Sequence, residues 1–219
     1  MIVNERMTAF INSYASPNSS KLDDLEKFSL ETNVPIIRKE MQSLIKFLLA
    51  AYKPRSVLEV GTAIGFSAIL MADNLSEDSH ITTIEKYEKR IPMAKENFEK
   101  FGYSQKITLL EGDATDILKE LEGPFDFIFM DAAKGQYINF LPDILRLLSP
   151  GGILLTDNVM QEGDILESKF AVERRNRTIY KRMRDYLYEL THNNELVTVI
   201  LPIGDGVTVS TRKNSDEKA

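Results

Sequence analysis

After Lys53-Pro54 the chain settles into an alternation that few folds can accept. Short apolar runs at Ser56–Val60, 81–85, Ile107–Glu111, Phe125–Met130 and 153–156 are separated by stretches of helical periodicity near 65–74, 88–101, 114–121 and 137–148. Strands that alternate with helices pair in parallel, and the helices cover both faces of the sheet. Beyond them, a long polar helix is expected over about 168–190. The chain then reads as an antiparallel hairpin at the sheet edge, Leu196–Leu201 and 207–211 around a Gly204-Asp205-Gly206 turn. The first fifty residues read as helical. Ser20 and the run 23–30 suggest a short capped helix that Val34-Pro35-Ile36 breaks, and a second helix from about 38 to 51 sets Met41, Leu44, Ile45, Leu48 and Leu49 on one face. The expectation is an α/β chain with a seven-stranded, mostly parallel sheet. It forms one domain over 1–219: an N-terminal helical cap (1–53), a core (54–212) and a frayed tail (213–219).

Composition narrows the function classes. The chain has 219 residues, 43% of them hydrophobic and 27% charged, the balance of a soluble globular protein. No apolar run approaches the length of a membrane span, and Asn4, Glu5 and Arg6 interrupt the place where a signal peptide would be apolar, so no membrane partner is expected. There is no cysteine, which excludes disulfides, thiolate zinc sites and a cysteine nucleophile and fits a reducing cytoplasm. A net charge of −6 argues against a surface basic throughout, but not against one local basic patch.

The strand ends carry the chemistry. The first runs into Gly61-Thr62-Ala63-Ile64-Gly65-Phe66-Ser67, where glycines let backbone approach a ligand at the carboxyl edge of the sheet. The spacing is G-x-x-x-G, not the G-x-G-x-x-G that packs a pyrophosphate against a helix. It suits S-adenosylmethionine (SAM), which has an amino-acid end and no pyrophosphate, with the Ser67 hydroxyl available to the carboxylate. Glu85 ends the second strand, where a carboxylate accepts hydrogen bonds from ribose hydroxyls. Asp113 and Ala114 follow the third, suited to the adenine amino group and an open ring face. Each acid alone could equally be a solvated loop residue; together, at successive strand ends, they favour a nucleoside site.

The fourth strand ends on Asp131, with Lys134 one helical step beyond, and the fifth on Asp157-Asn158. Two carboxylates and an amide are hard oxygen donors, suited to Mg²⁺, with Mn²⁺ or Ca²⁺ as substitutes. A dication favours the oxyanion of a phenol or enol, whose pKa is otherwise ~10, and Lys134 could take its proton. Other readings stay open: Asp131 could cap the next helix, Asn158 could serve a turn, and Lys134 could be a surface lysine.

Residues 59–69 (EVGTAIGFSAI), 127–137 (FIFMDAAKGQY) and Thr156-Asp157-Asn158 resemble the metal-dependent SAM O-methyltransferases, the family of the catechol and caffeoyl-CoA enzymes, over nearly all of 34–211. The resemblance implies the Rossmann-like class I methyltransferase fold. It implies cofactor contacts at Ile37, Glu59, Gly61, Ser67, Glu85, Asp113, Ala114 and Asp131. Metal ligands Asp131, Asp157 and Asn158 follow, with catalysis by Lys134 and Asp131, N-terminal helices over the cofactor, and a homodimer. A narrower likeness covers 34–36, 131–137, 157–159 and 202–206. It is to bacterial tRNA 5-hydroxyuridine methyltransferases, which convert the wobble base to 5-methoxyuridine.

Residues 173–184 hold six basic side chains, Arg174, Arg175, Arg177, Lys181, Arg182 and Arg184, against one acid. That local +5 leaves −11 for the rest of the chain. On a helix, Arg174, Arg177, Lys181 and Arg184 would share one side, opposite Ile179, Met183, Tyr186 and Leu190. Such a stripe suits a phosphate backbone, and the tRNA anticodon stem-loop is the expected partner. A merely solvated helix face is the alternative. A small-molecule enzyme acting on catechols or related vicinal-diol phenolics is the rival function. A noncatalytic SAM-binding module is disfavoured by the intact set Asp131, Lys134, Asp157 and Asn158.

Overall fold

The structure, a computed structural model, describes residues 3–214. Of the expected frayed tail, residues 215–219 lie outside the described residues. Lys213 is fastened, its N–H donating to the Glu195 carbonyl at 2.8 Å. Helices α1 (Glu5–Asn12), α2 (Ser20–Glu31) and α3 (Lys39–Tyr52) precede the alternating region. There follow β1 (Ser56–Val60), α4 (Phe66–Asn74), β2 (His80–Glu85), α5 (Ile91–Phe101), β3 (Ile107–Glu111), α6 (Ala114–Glu120), β4 (Phe125–Met130), α7 (Tyr137–Leu147) and β5 (Leu148–Thr156). Helix α8 (Arg177–His192) and strands β6 (Leu196–Leu201) and β7 (Val207–Arg212) close the chain.

The seven strands lie in the order β3-β2-β1-β4-β5-β7-β6. Strands β1 to β5 are parallel, while β7 runs antiparallel to both β5 and β6. This is the Rossmann-like methyltransferase sheet. Its direction of winding reverses between β1 and β4, where an open α/β sheet leaves a crevice beyond the strand ends. Strand β4 shows why both faces are covered. Phe127 and Phe129 enter the core beneath α2 to α5, with Ile45 and Ile69, whereas Ile128 and Met130 enter the core beneath α6 to α8, with Tyr137 and Tyr186. No helix among the described residues is long and apolar enough to cross a membrane.

Local chemistry sets the element ends. Ser19 caps α2 by accepting the Leu22 N–H, and Asp113 caps α6 by accepting the Thr115 N–H. Helix α1 was not singled out by periodicity, and it buries none of its residues. Helix α5 starts at Ile91, not 88, because the chain from Tyr87 first closes a turn in which the Arg90 N–H donates to the Tyr87 carbonyl. The largest departure is the long polar helix. The α-helix begins only at Arg177, preceded by a loop and a single 3-10 turn, Arg174–Asn176. Val172 is buried, and the Arg177 side chain caps the carbonyls of Val172 and Phe170. A helix through 168–176 would have used those carbonyls itself.

Candidate active site

Hydrogen bonds between strands run one residue past the strands themselves. The Asp131 N–H donates to the Val60 carbonyl at 3.0 Å and the Asp157 N–H to the Met130 carbonyl at 3.0 Å. Those bonds set Gly61, Asp131 and Asp157 side by side across the topological switch.

A cavity of about 320 Å³ opens there, lined by Ile37, Gly61, Ser67, Glu85, Asp113, Ala114 and Asp131, among others. Gly61 has φ +107°, and a Cβ on it would lie 2.1 Å from the Asp131 carbonyl oxygen, so backbone must pass where a side chain cannot. The Glu85 carboxylate is anchored by three backbone N–H groups, those of Ala63 (2.7 Å), Lys86 (3.0 Å) and Tyr87 (2.8 Å). Asp113 both caps α6 and lies 3.3 Å from the Lys86 ammonium. Its carboxyl is held below the usual range, mainly by the Thr115 N–H. Glu85 is thus fixed by backbone, whereas Asp113 stays exposed, with helix capping and the Lys86 pairing as its partners in the chain.

Behind the cavity wall, Glu59 is fully buried and accepts from the Ser67 and Thr83 hydroxyls, each at 2.5 Å. Burial pushes its carboxyl up to about 7, against the pull of those two hydroxyls. Ser67 therefore spends on Glu59 the proton that sequence reasoning offered to the SAM carboxylate. Thr83, which links Thr62 to Glu59, was missed from sequence; it lies inside a strand that reads only as β-branched.

The acceptor side is less satisfied. Asp157 accepts one N–H, from Asn158 at 2.7 Å, and no hydrogen bond reaches the Asp131 carboxylate among the described residues. Burial pushes both carboxyls up. For Asp157 the Asp131 charge adds to the rise, while Lys134 opposes it at both. Asp131 caps nothing, since the 3-10 turn Lys134–Gln136 has Ala133 at its cap and α7 has Gln136. Asn158 does serve a turn, with φ +58°. Lys134 lies 3.3 Å from Asp205, a residue that sequence reasoning placed only in the hairpin turn.

Does this cluster suit a magnesium-type ion? The described residues hold no cluster of three or more His, Cys, Asp or Glu, so the chain offers two carboxylates and at most an amide. A buried carboxylate, Asp157, beside a partly buried one, Asp131, with a single backbone N–H donated to Asp157, forms a hard, hydrogen-bond-poor donor set. The donor set fits.

The basic segment is largely occupied within the chain. Arg177 and Arg184 donate to the carbonyls of Val172 and Ile165, Arg182 to that of Gly135, and Lys181 and Arg175 pair with Asp185 and Glu173. The α-helix starts three residues past Arg174, so Arg174 leaves the expected stripe. Of the expected apolar side, Met183, Tyr186 and Leu190 are buried, Ile179 is only partly so, and Tyr180 is buried in addition.

The O-methyltransferase family profile matches residues 12–213. The chain belongs to the O-methyltransferase family. A curated relative, the catechol O-methyltransferase of Niastella koreensis, is 34% identical over 127 residues, covering 56% of this chain and 58% of that one. A solved Staphylococcus aureus structure, assigned as a caffeoyl-CoA O-methyltransferase, superposes with a TM-score of 0.87 at 31% identity, covering 95% of this chain and 100% of that one. The S-adenosylhomocysteine-bound methyltransferase of Podospora anserina superposes with a TM-score of 0.86 at 28% identity, covering 97% of each. These relatives are methyltransferases, two of them named for catechol or caffeoyl-CoA and one solved with S-adenosylhomocysteine bound.

Proposed function

We propose that this O-methyltransferase acts on a hydroxyl lying beside a second oxygen, as in a catechol or related vicinal-diol phenolic, and that it depends on a magnesium-type ion held by Asp131, Asp157 and Asn158. The observation that carries this reading is the position of Asp131, which lines the cofactor cavity and donates its N–H to the Val60 carbonyl at the end of β1, while the preceding Met130 carbonyl accepts the Asp157 N–H at the end of β5. When bound, such an ion would lower the pKa of the acceptor hydroxyl and fix its oxygen. Glu85 and Asp113 hold the nucleoside end of SAM, Gly61 gives backbone access, and Glu59 orders the cavity wall through Ser67. Lys134, as the neutral amine, would receive the hydroxyl proton and become the ammonium. The S–CH₃ bond of SAM then breaks as the new O–CH₃ bond forms, and S-adenosylhomocysteine leaves.

A second acceptor is favoured by one surface. Phe170 is 88% exposed and is followed by exposed Arg174 and Arg175. An unburied aromatic beside cations suits a stacked base and its phosphate. This supports a tRNA anticodon stem-loop, with the wobble 5-hydroxyuridine becoming 5-methoxyuridine. Its enol-like hydroxyl sits beside a ring carbonyl and would present the same two oxygens. A homodimer and a cytoplasmic location belong to the same proposal. The dimer is supported by the exposed Met7, Phe10, Ile11 and Tyr14 around α1. Labelled SAM supplied with Mg²⁺ and either catechol or hydroxyuridine-bearing tRNA separates the two acceptors by mass spectrometry. Turnover of neither would overturn both.

A further inference from the structure

Two fully buried tyrosines pack together beside the end of β5, and their hydroxyls go to different places. Tyr137 opens α7, Tyr186 lies in α8, and both are 0% exposed. Their rings meet at a tilt of 58°, with centroids 5.6 Å apart. The Tyr186 hydroxyl lies 2.7 Å from Thr156 Oγ1, inside β5. The Tyr137 hydroxyl donates instead to the Asp157 carbonyl at 3.3 Å, just past the strand. Burial pushes both hydroxyls above the usual phenol value, so each stays uncharged.

Asp157 has left the β5 ladder. Its N–H reaches back to the Met130 carbonyl, its carboxylate accepts the Asn158 N–H, and Asn158 turns the chain away at φ +58°. Among the described residues, no other hydrogen bond reaches the Asp157 carbonyl. The loop that leaves Asp131 at the end of β4 closes on Tyr137 through the 3-10 turn Lys134–Gln136. One side chain thus ties the loop that carries the first acid to the main chain of the second. Packing alone does not call for it. A phenylalanine ring would fill the same space, whereas a buried hydroxyl costs its lost hydration unless it is bonded.

We propose that Tyr137 is a positioning residue for metal binding: by holding the Asp157 main chain, it fixes where that carboxylate points relative to Asp131. The inference rests on the reading of Asp131 and Asp157 as metal ligands and holds for either acceptor. Tyr186, whose hydroxyl stops at Thr156, packs the same core without touching a ligand.

Tyr137→Phe keeps the ring and removes only the hydroxyl. Calorimetry with Mg²⁺ on SAM-loaded protein should show Mg²⁺ affinity falling about tenfold, the scale of lost outer-shell support, with SAM affinity unchanged. Saturating Mg²⁺ should then return most of the catechol methylation. In the metal-free protein the Asn158 amide should exchange faster, while the Leu154 and Leu155 amides inside β5 keep their protection. Tyr186→Phe should lower stability and leave Mg²⁺ affinity as it is. Unchanged Mg²⁺ affinity in Tyr137→Phe, an equal loss in Tyr186→Phe, or unchanged Asn158 exchange would each overturn the proposal. If the unmodified protein binds no Mg²⁺, it is the metal-ligand reading that fails, and the positioning role falls with it.

Discussion

The two halves of the crevice treat their carboxylates differently. On the cofactor side each acid is answered by the chain itself: Glu85 by three backbone N–H groups, Glu59 by two hydroxyls, Asp113 by an N–H and the Lys86 ammonium. On the acceptor side Asp157 receives one N–H, and the ammonium nearby is directed to Asp205. A finished, hydrogen-bonded cavity suits a ligand recognised by its own polar edges. A buried carboxylate beside a partly buried one, both left short of donors, suits a cation supplied from outside. The contrast implies that SAM binding and metal binding are separable properties of neighbouring strand ends.

Asp157→Asn attacks that separation most directly. Methyl transfer should fall about 10²- to 10³-fold, the scale of losing a charge stabiliser at the reacting centre, while calorimetry should find SAM affinity unchanged. An equal loss of SAM affinity would break the comparison. Glu85→Gln is the mirror experiment. Weakening charge-assisted hydrogen bonds to the ribose should cost about 1.5–3 kcal/mol of SAM binding, roughly tenfold to a hundredfold. It should leave Mg²⁺ affinity intact.

Thermal shift reads the acceptor side without any acceptor. At a hundred times its Kd, Mg²⁺ should stabilise the folded state by about 2.7 kcal/mol, or roughly 5–11 °C for a chain of this size. Asp157→Asn should erase that shift. Glu59 sharpens the cofactor side. Its folded carboxyl is raised to about 7 from 4.5, so its stabilising contribution is complete below the unfolded value and lost as pH rises towards 7. Glu59→Gln should therefore match the unmodified protein near pH 4 and be the more stable of the two at pH 8. An unfolding series across pH checks the crossover. The smallest expected effect comes from Arg174→Glu with Arg175→Glu, which should weaken tRNA binding several-fold through lost phosphate contacts. Catechol turnover should be unchanged. Undiminished tRNA binding would remove the second acceptor.

Periodicity was enough for the sheet because the strands are rich in apolar and β-branched residues and are separated by helical or turn-forming stretches. Strands β1, β3 and β4 begin and end where the apolar runs do, and the Gly204-Asp205-Gly206 turn sits between the paired edge strands. Strand β5 begins five residues early, since Leu148 to Gly152 are drawn into the strand and Leu148 pairs with Phe125 of β4. The basic helix misled for a different reason. Residues 168–176 contain no glycine or proline to stop a helix, and what unwinds them is tertiary: Val172 is buried while an arginine from the following turn takes the loop carbonyls. On the cofactor side, Gly61, Glu85, Asp113 and Ala114 were singled out because each ends a strand or lies within three residues of its end. Thr83 and Asp205 were not, because their partners lie 24 and 71 residues away and no local pattern announces them.

One measurement bears most directly on a cofactor cavity joined to an oxygen-donor metal site. Purified protein is given labelled SAM and catechol with Mg²⁺, then excess chelator, then Mg²⁺ again, while SAM binding is followed in parallel. Methyl transfer should proceed, stop and recover, with SAM bound throughout. Transfer that persists in excess chelator would contradict the account.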